Sequence, residues 1–345
     1  MVQFFSISDK LGGAEQTMLK LGKSVCTTPS ICFYKEQNNS IWESSGFKVY
    51  YCNNNFLKFL KFCLNNKFSY VFSSHLILNA LLGLLRSLHI LDTKNLICRE
   101  STTVFNRYSG LKLYKYKIAY KFGYFKIDLL ITQTDEMRTL LLSSLPYLTK
   151  RKIKIVTIPN LFEYPKKTIK PLKLEFPYIV TAGRLIYEKG FDVLINAFEI
   201  FEKKHPQFRL IILGEGEQRS ILELLINKLE LKAKVLLPGF SKDVYEYFKG
   251  ADLCVVSSRT EGFPNVLLQM MSQNNNVVST ICAGGIQDLR GLFTTQINSI
   301  PNLEKNIQLC LNSDNTKNRE LFDSELKSRN IQSYISKIES ILDEK

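Results

Sequence analysis

Short apolar runs alternate with helical patterns along most of the chain, and they do so in two separate series. In the first, strands are expected at 2–7, 29–34, 47–52, 69–74, 95–99, 128–133 and 153–158, with helices at 14–23, 56–65, 76–88, 111–125 and 135–144. In the second, strands at 178–183, 209–213, 234–237, 252–257 and 276–280 alternate with helices at 191–204, 217–230, 243–250 and 264–273. Strands that are apolar throughout are covered on both faces, and strands joined through helices run parallel. Two such series predict an α/β protein of two Rossmann-like, doubly wound domains. A length of 345 residues is too large for one ordinary core and comfortable for two. The break is expected in the proline- and lysine-rich stretch from Phe162 to Pro177, which shows no clear period. The expected division is a first domain over 1–164, a linker over 165–177 and a second domain over 178–345 with a helical tail from Asn318.

Several classes are disfavoured by what is absent. No run approaches the length of an apolar membrane span. Met1 through Ile7 lacks a basic leader and reads as a first strand, so a cytoplasmic protein is expected. The cysteines at 26, 32, 52, 63, 98, 254, 282 and 310 contain no C-x-x-C pair and fall mostly in apolar contexts, as small buried hydrophobes of a reducing compartment do. With three scattered histidines, no metal site is expected. The net charge of +14 is lopsided: residues 1–150 hold 19 Lys+Arg against 9 Asp+Glu, and residues 151–345 hold 27 against 23. The +10 half therefore points to an anionic partner, whether membrane surface, nucleic acid or phosphorylated substrate.

Three strand ends in the second series carry residues suited to a diphosphate. In a doubly wound sheet, ligands bind at the carboxyl ends of strands. The first end runs Gly183-Arg184-Leu185 to Glu188-Lys189-Gly190, and a guanidinium and an ammonium there suit a diphosphate as well as they suit plain solvent beside a turn. The second reads Gly214-Glu215-Gly216, where glycines let backbone pass close to a ligand. The third reads Ser258-Arg259-Thr260-Glu261-Gly262-Phe263-Pro264-Asn265. Pro264 fits the first helical position, so Gly262 and Phe263 would aim backbone donors at an anion. Glu261 sits awkwardly beside a phosphate unless it accepts from hydroxyls, and sugar hydroxyls are good donors to a carboxylate.

The ordered run G-R-L-x-x-E-K-G, G-E-G and S-R-T-E-G-F-P-N-V-L-L-Q strongly resembles the large retaining glycosyltransferase family 4, of the GT-B fold. The likeness is detailed over roughly 178–290 and looser through Leu11-Gly12-Gly13-Ala14-Glu15, Ile131-Thr132-Gln133-Thr134 and Ile158-Pro159-Asn160. It implies two domains facing a cleft and transfer of a hexosyl unit from a nucleoside diphosphate sugar to a hydroxyl of a growing, lipid-linked glycan, with retention of configuration. It further implies that Arg184 and Lys189 hold the donor diphosphate and stabilise the leaving group, with no metal or cofactor needed. Glu261 matches the first glutamate of the family's E-x7-E motif, which engages the donor sugar. Gly183, Gly214 and Gly216 belong with these donor-binding strand ends. Gly262, Phe263, Pro264 and Asn265 match the loop beside sugar and phosphates, while Leu236, Leu237 and Gly239 match the strand end near the base. Gly12 and Gly13 match the glycine-rich loop of the first domain, and Glu15 beside it is a candidate acceptor contact.

Two departures from the family pattern stand out. The second glutamate of E-x7-E, which binds ribose hydroxyls, is replaced by Gln269; an amide carbonyl still accepts, without the charge-assisted part worth roughly 1 kcal/mol. Many members also carry a histidine after the strand equivalent to 95–99, where this chain has Cys98-Arg99-Glu100-Ser101. Glu100 is then a candidate acceptor contact, unless the site is impaired. His75 follows another strand and reads at least as well as a satisfied structural histidine. These departures leave open a non-catalytic sugar-nucleotide-binding or scaffolding protein. A GT-B-like epimerase would need paired carboxylates and a histidine that the sequence does not offer.

Residues 106–126 hold six basic residues, no acidic one and seven aromatics. Tyr114, Ile118, Phe122 and Phe125 are spaced as one apolar helix face, with Lys112, Lys115 and Lys126 largely elsewhere. Either that face packs on the sheet with the lysines in solvent, or the segment meets anionic lipid headgroups at the inner face of a membrane. Nucleic acid is not expected, because no recognition module accompanies the charge.

Overall fold

A computed structural model describes residues 1–25, 27–36 and 41–343. The chain divides into two compact units, Met1–Leu161 joined by Arg329 onward, and Phe162–Ser328.

The first unit is built on strands β1 (Val2–Ser8), β2 (Ser30–Lys35), β3 (Lys48–Tyr51), β4 (Phe68–Ser73), β5 (Thr93–Arg99), β6 (Leu129–Thr132) and β7 (Lys154–Thr157). They form one parallel sheet in the order β3-β2-β1-β4-β5-β6-β7. Its helices are α1 (Gly13–Val25), α2 (Ile41–Ser44), α3 (Phe56–Leu64), α4 (Leu76–Ser87), α5 (Val104–Arg107), α6 (Gly110–Gly123) and α7 (Asp135–Ser144). The second unit repeats the plan with β8 (Tyr178–Ala182), β9 (Arg209–Leu213), β10 (Val235–Gly239), β11 (Leu253–Val256), β12 (Val277–Thr280) and β13 (Phe293–Thr295), in the order β10-β9-β8-β11-β12-β13. Its helices are α8 (Phe191–Glu202), α9 (Arg219–Lys228), α10 (Val244–Gly250), α11 (Asn265–Met271), α12 (Ile300–Asn312) and α13 (Asn318–Ser328). A last helix, α14 (Ile331–Asp343), belongs to the first unit.

The two-faced burial expected of the strands is visible residue by residue. Neighbouring side chains on a strand point to opposite faces. Phe5, Cys32 and Leu130 enter one core of the first unit, while Phe4, Ile31, Phe33, Leu129 and Ile131 enter the other. In the second unit Val180 and Cys254 face one core, and Ile179, Leu253 and Val255 the other. The seven described cysteines are free thiols and all buried, and Cys26 lies outside the described residues. No described helix is long and apolar enough to cross a membrane. Every expected element has a counterpart within a few residues. The stretch between β12 and α13, with no expected element, holds β13 and α12.

Three expectations need correction. The stretch read as a linker lies against the second unit: Ile169 is buried, its carbonyl accepts from Lys249, and the Leu172 amide donates to the Glu246 carbonyl at 2.9 Å. The helical tail is not all of the second unit. Tyr334 and Ile338 of α14 are buried with Met18 and Leu21 of α1 in the first unit's core. Helical spacing shows that α14 has an apolar face but not which core receives it.

The third correction concerns α6. Of the two readings of its apolar face, packing on the sheet is not what the structure has: Tyr114, Ile118, Phe122 and Phe125 are exposed. The helix instead meets α4 through Gly123. A Cβ on Gly83 would lie 1.9 Å from the Gly123 carbonyl oxygen, and one on Gly123 would lie 2.4 Å from the Ala80 Cα. This close approach selects the small-residue face of α6 as the buried one, with Tyr120 beside it.

Candidate active site

In each sheet the strand order reverses direction once, between β1 and β4 and between β8 and β11. Such a reversal opens a crevice at the carboxyl ends of the two central strands. The residues singled out in the second domain gather at that place.

After β8 the chain makes a turn through Gly183 and Arg184 and a single 3-10 turn at Tyr187–Lys189 before α8. After β11 it runs through Ser257 to Glu261. Lys189 Nζ donates to Glu261 Oε1 at 2.5 Å, and the Ser258 hydroxyl donates to the same oxygen at 3.0 Å. The pair is largely buried, with side-chain exposures of 16% and 20%. Arg184 is exposed and makes no ion pair among the described residues. The structure therefore brings Lys189 and Glu261 into contact, with Arg184 on the loop that joins β8 to the Lys189 turn.

The Lys189 turn is clamped from β11. Gly190 has φ +62, and a Cβ there would lie 2.2 Å from the Ser257 carbonyl oxygen, so only glycine fits. The Ser257 hydroxyl donates to the Lys189 carbonyl at 3.0 Å, and the Arg259 amide to the Glu188 carbonyl at 2.7 Å. The Arg259 guanidinium makes a fork onto Asp192 at 2.8 and 2.6 Å, donates to the Tyr187 carbonyl at 2.7 Å and lies over the Tyr187 ring. Asp192 and its hydrogen bonds raise the Arg259 pKa further. Sequence reading missed this role for Arg259 and Ser257; both stand beside Glu261, but their partners lie about seventy residues away in the chain.

Gly214 and Gly216 serve a close backbone approach. A Cβ on Gly214, at φ +137, would lie 1.9 Å from the Gly183 carbonyl oxygen, and one on Gly216 2.4 Å from that of Leu185. The Gly183 amide donates to the Leu213 carbonyl and the Leu185 amide to that of Glu215, so the turns after β8 and β9 are fixed to each other. At the end of β10, the half-buried Leu237 gives its carbonyl to Arg219 at 2.8 Å; Leu236 is exposed and Gly239 buried. Gly262, Phe263 and Pro264 are buried, and Asn265 begins α11. Pro264 is the residue before the helix rather than its first residue, a displacement of one position. Gln269, half-buried on α11, lies 3.4 Å from the Tyr245 hydroxyl, a long contact.

At the reversal of the first sheet, Gly12 is exposed between β1 and α1, and Gly13, also exposed, opens α1. Glu15, in the first turn of α1, is buried. The Ser6 hydroxyl donates to its Oε1 at 2.8 Å, and His75 Nε2, just past β4, lies 2.6 Å from the same oxygen. Burial alone would raise the Glu15 carboxyl, but His75 and Ser6 outweigh it and hold the pKa below the ordinary value. His75 is thus tied to a candidate acceptor residue, a link that a separation of 60 residues hides. Glu100 is placed differently. It is 2% exposed, takes the Tyr124 hydroxyl at 2.7 Å, and burial pushes its pKa up to about 7 against hydrogen bonds from Tyr124 and Tyr120 and the charge of Arg99. Its carboxyl is thus buried against the Tyr124 hydroxyl.

Residues 165–322 match the family model described as glycosyl transferases group 1. An uncharacterized glycosyltransferase of Methanocaldococcus jannaschii is 36% identical over 182 residues, 50% of this chain and 44% of that protein. An N-acetylgalactosamine-N,N'-diacetylbacillosaminyl-diphospho-undecaprenol 4-alpha-N-acetylgalactosaminyltransferase of Campylobacter jejuni is 33% identical over 126 residues, 36% of this chain and 34% of that protein. The aligned stretches thus span less than half of these two relatives. The crystal structure of Anabaena HepE in complex with UDP and glucose aligns over 100% of this chain and 99% of its own, at a TM-score of 0.82 and 16% identity, which establishes a shared GT-B fold. Residues 165–322 thus carry the likeness to the group 1 glycosyltransferases.

Proposed function

We propose that this protein transfers a hexosyl unit from a nucleoside diphosphate sugar to a hydroxyl of a growing, lipid-linked glycan, with retention of anomeric configuration. The observation that carries the reading is the Lys189–Glu261 pair at the reversal between β8 and β11, with Arg184 on the loop that joins β8 to the Lys189 turn. Lys189 and Arg184 would take the diphosphate and neutralise the charge that develops as it leaves. Glu261 would exchange its ammonium partner for sugar hydroxyls. Two fixed cations supply what a divalent metal would otherwise supply, so activity is expected to survive chelation by EDTA. Gln269 is assigned to the ribose, and the strand end at Leu236, Leu237 and Gly239 to the base.

The acceptor is assigned to the first unit, at Glu15 with its His75 and Ser6 partners, rather than to the buried Glu100. A lipid-linked acceptor is met at the cytoplasmic face of a membrane, and the +10 balance of residues 1–150 suits peripheral contact with anionic lipid there. The Campylobacter jejuni relative, named for transfer to a diphospho-undecaprenol-linked sugar, favours this acceptor class.

The test is a thermal-shift screen of UDP-, GDP-, ADP- and dTDP-sugars, followed by hexose transfer or donor hydrolysis with the donor that stabilises most. Bound donor raises the melting temperature by mass action. A shift with turnover supports the reading. A shift with neither transfer nor hydrolysis favours the scaffolding alternative, and no shift with any donor overturns both.

A further inference from the structure

The exposed side of α6 carries a row of large apolar side chains. Leu111, Tyr114, Ile118 and Phe122 are 80%, 62%, 40% and 56% exposed, and their spacing of three, four and four residues puts them on one helical stripe. The opposite side of the helix is already used by Gly123 and Tyr120 in the crossing with α4. Phe125 is set apart, since the Arg151 guanidinium covers its ring at 3.8 Å. Single exposed apolar residues are common, but a continuous stripe marks an interaction surface. The stripe is edged by Lys112, Lys115, Lys117 and Lys121, all exposed, and residues 106–127 contain no acid. Neighbouring α4, which packs against α6, adds exposed Ile77 and Leu84, and exposed Leu88 follows its last residue.

We propose that α6 is a membrane-docking helix, lying in the headgroup layer of an anionic bilayer with Leu111, Tyr114, Ile118 and Phe122 inserted beneath it. This deepens the peripheral contact proposed above, which rested on charge; here apolar insertion does the anchoring and the lysines choose the lipid. An interfacial helix needs this combination of an apolar stripe and a basic border whose long stems reach back to the headgroups. Charge complementarity selects the occupant. A second copy of this chain would bring the same lysines against these. A single-stranded nucleic acid would match the charge and stack on Tyr114, but would give Leu111 and Ile118 nothing apolar to enter.

The test uses the whole protein and sedimentation with vesicles of 70% phosphatidylcholine and 30% phosphatidylglycerol, or of phosphatidylcholine alone. The wild type should bind the anionic vesicles at least tenfold more tightly. The triple variant Leu111→Ser, Ile118→Ser, Phe122→Ser should lose at least tenfold in binding at both 0.1 and 0.5 M NaCl, with an unchanged circular dichroism spectrum. The variant with Lys112, Lys115, Lys117 and Lys121 all changed to Gln should lose binding chiefly at 0.1 M, where the Debye length of about 10 Å still leaves the charges effective. A Phe122→Trp protein should show a blue-shifted emission on vesicles that the buried Trp42 cannot supply. Wild-type vesicle binding by the triple variant, or no blue shift, overturns the proposal. So does an α6-dependent binding of poly-U or self-association when anionic vesicles are not bound. Donor-induced thermal shifts on the same variants keep the two readings apart: vesicle binding lost with donor binding kept supports docking, and failure of every donor leaves the docking result standing.

Discussion

Replacing Lys189 by methionine keeps the stem that packs against Gly183, whose missing Cβ would lie 3.2 Å from Lys189 Cε, and removes the ammonium. Glu261 then loses a partner at 2.5 Å but keeps the Ser258 hydroxyl at 3.0 Å. Exposed pairs are worth about 0–1 kcal/mol, and breaking a fully buried pair costs about 3–5 kcal/mol. With side-chain exposures of 16% and 20%, solvent still screens this pair, and a stability loss of about 1–2 kcal/mol is expected. For a unit of this size that lowers Tm by roughly 2–8 °C. The effect on chemistry is larger. Losing one fixed cation at a developing charge costs on the order of 2.7–4 kcal/mol, or about 100- to 1000-fold in kcat. The measurement is kcat at saturating donor, 20 °C below the variant's own Tm, beside Lys189→Arg, which restores charge and should recover much of the loss. If Lys189→Met keeps kcat within threefold of wild type while its Tm falls as expected, Lys189 is a structural partner of Glu261 and the clamp assignment is wrong.

Gln269→Glu should keep activity and lower the donor KM by about fivefold, the worth of roughly 1 kcal/mol of charge assistance; lost donor binding in calorimetry would mean a pocket rebuilt around glutamine. Gly214→Ala should cost more than about 3 kcal/mol in urea denaturation, because no flexible group can yield where the Cβ meets the Gly183 carbonyl; a near-neutral result would refute the close approach of the two turns. Glu100 provides a pH test. Its folded pKa of about 7 lies above the ordinary 4.5, so between those values the folded state holds a proton that the unfolded state has lost. Stability should therefore fall as pH rises from about 4.5 to 7, by up to about 3 kcal/mol. Glu100→Gln should remove that part of the slope; denaturation midpoints at pH 5 and 8 that differ as in wild type would refute it.

What the sequence makes legible follows from local physics. Strands buried on both faces announce themselves as unbroken apolar runs, which is why β1 and β8 are plain from Phe4-Phe5 and Ile179-Val180. Gly183, Lys189 and Glu261 were readable because turns at strand ends are punctuated by glycine and charge. Periodicity groups Tyr114, Ile118 and Phe122 on one stripe, yet cannot say which side of the helix is buried. That was decided by the Gly83 and Gly123 approach, between residues 40 apart. The contact of Glu15 with His75 and the hold of Arg259 on the Lys189 turn are likewise long-range. The helix α12 was legible and overlooked: Leu303, Ile307 and Cys310 keep helical spacing behind Pro301.

The return of α14 to the first unit has a consequence for how the chain is made. The first unit is interrupted by the whole of residues 162–328, so its core beside α1 stays open until the last helix arrives. At synthesis rates of about 5–20 residues per second, Met18 and Leu21 wait roughly 16–63 s for Tyr334 and Ile338 to be made. The second unit, contiguous in the chain, needs no such wait. A chain cut after Ser328 would thus hold every residue of the second unit but lack the helix that covers Met18 and Leu21, and that face of α1 is where a holding chaperone would be needed.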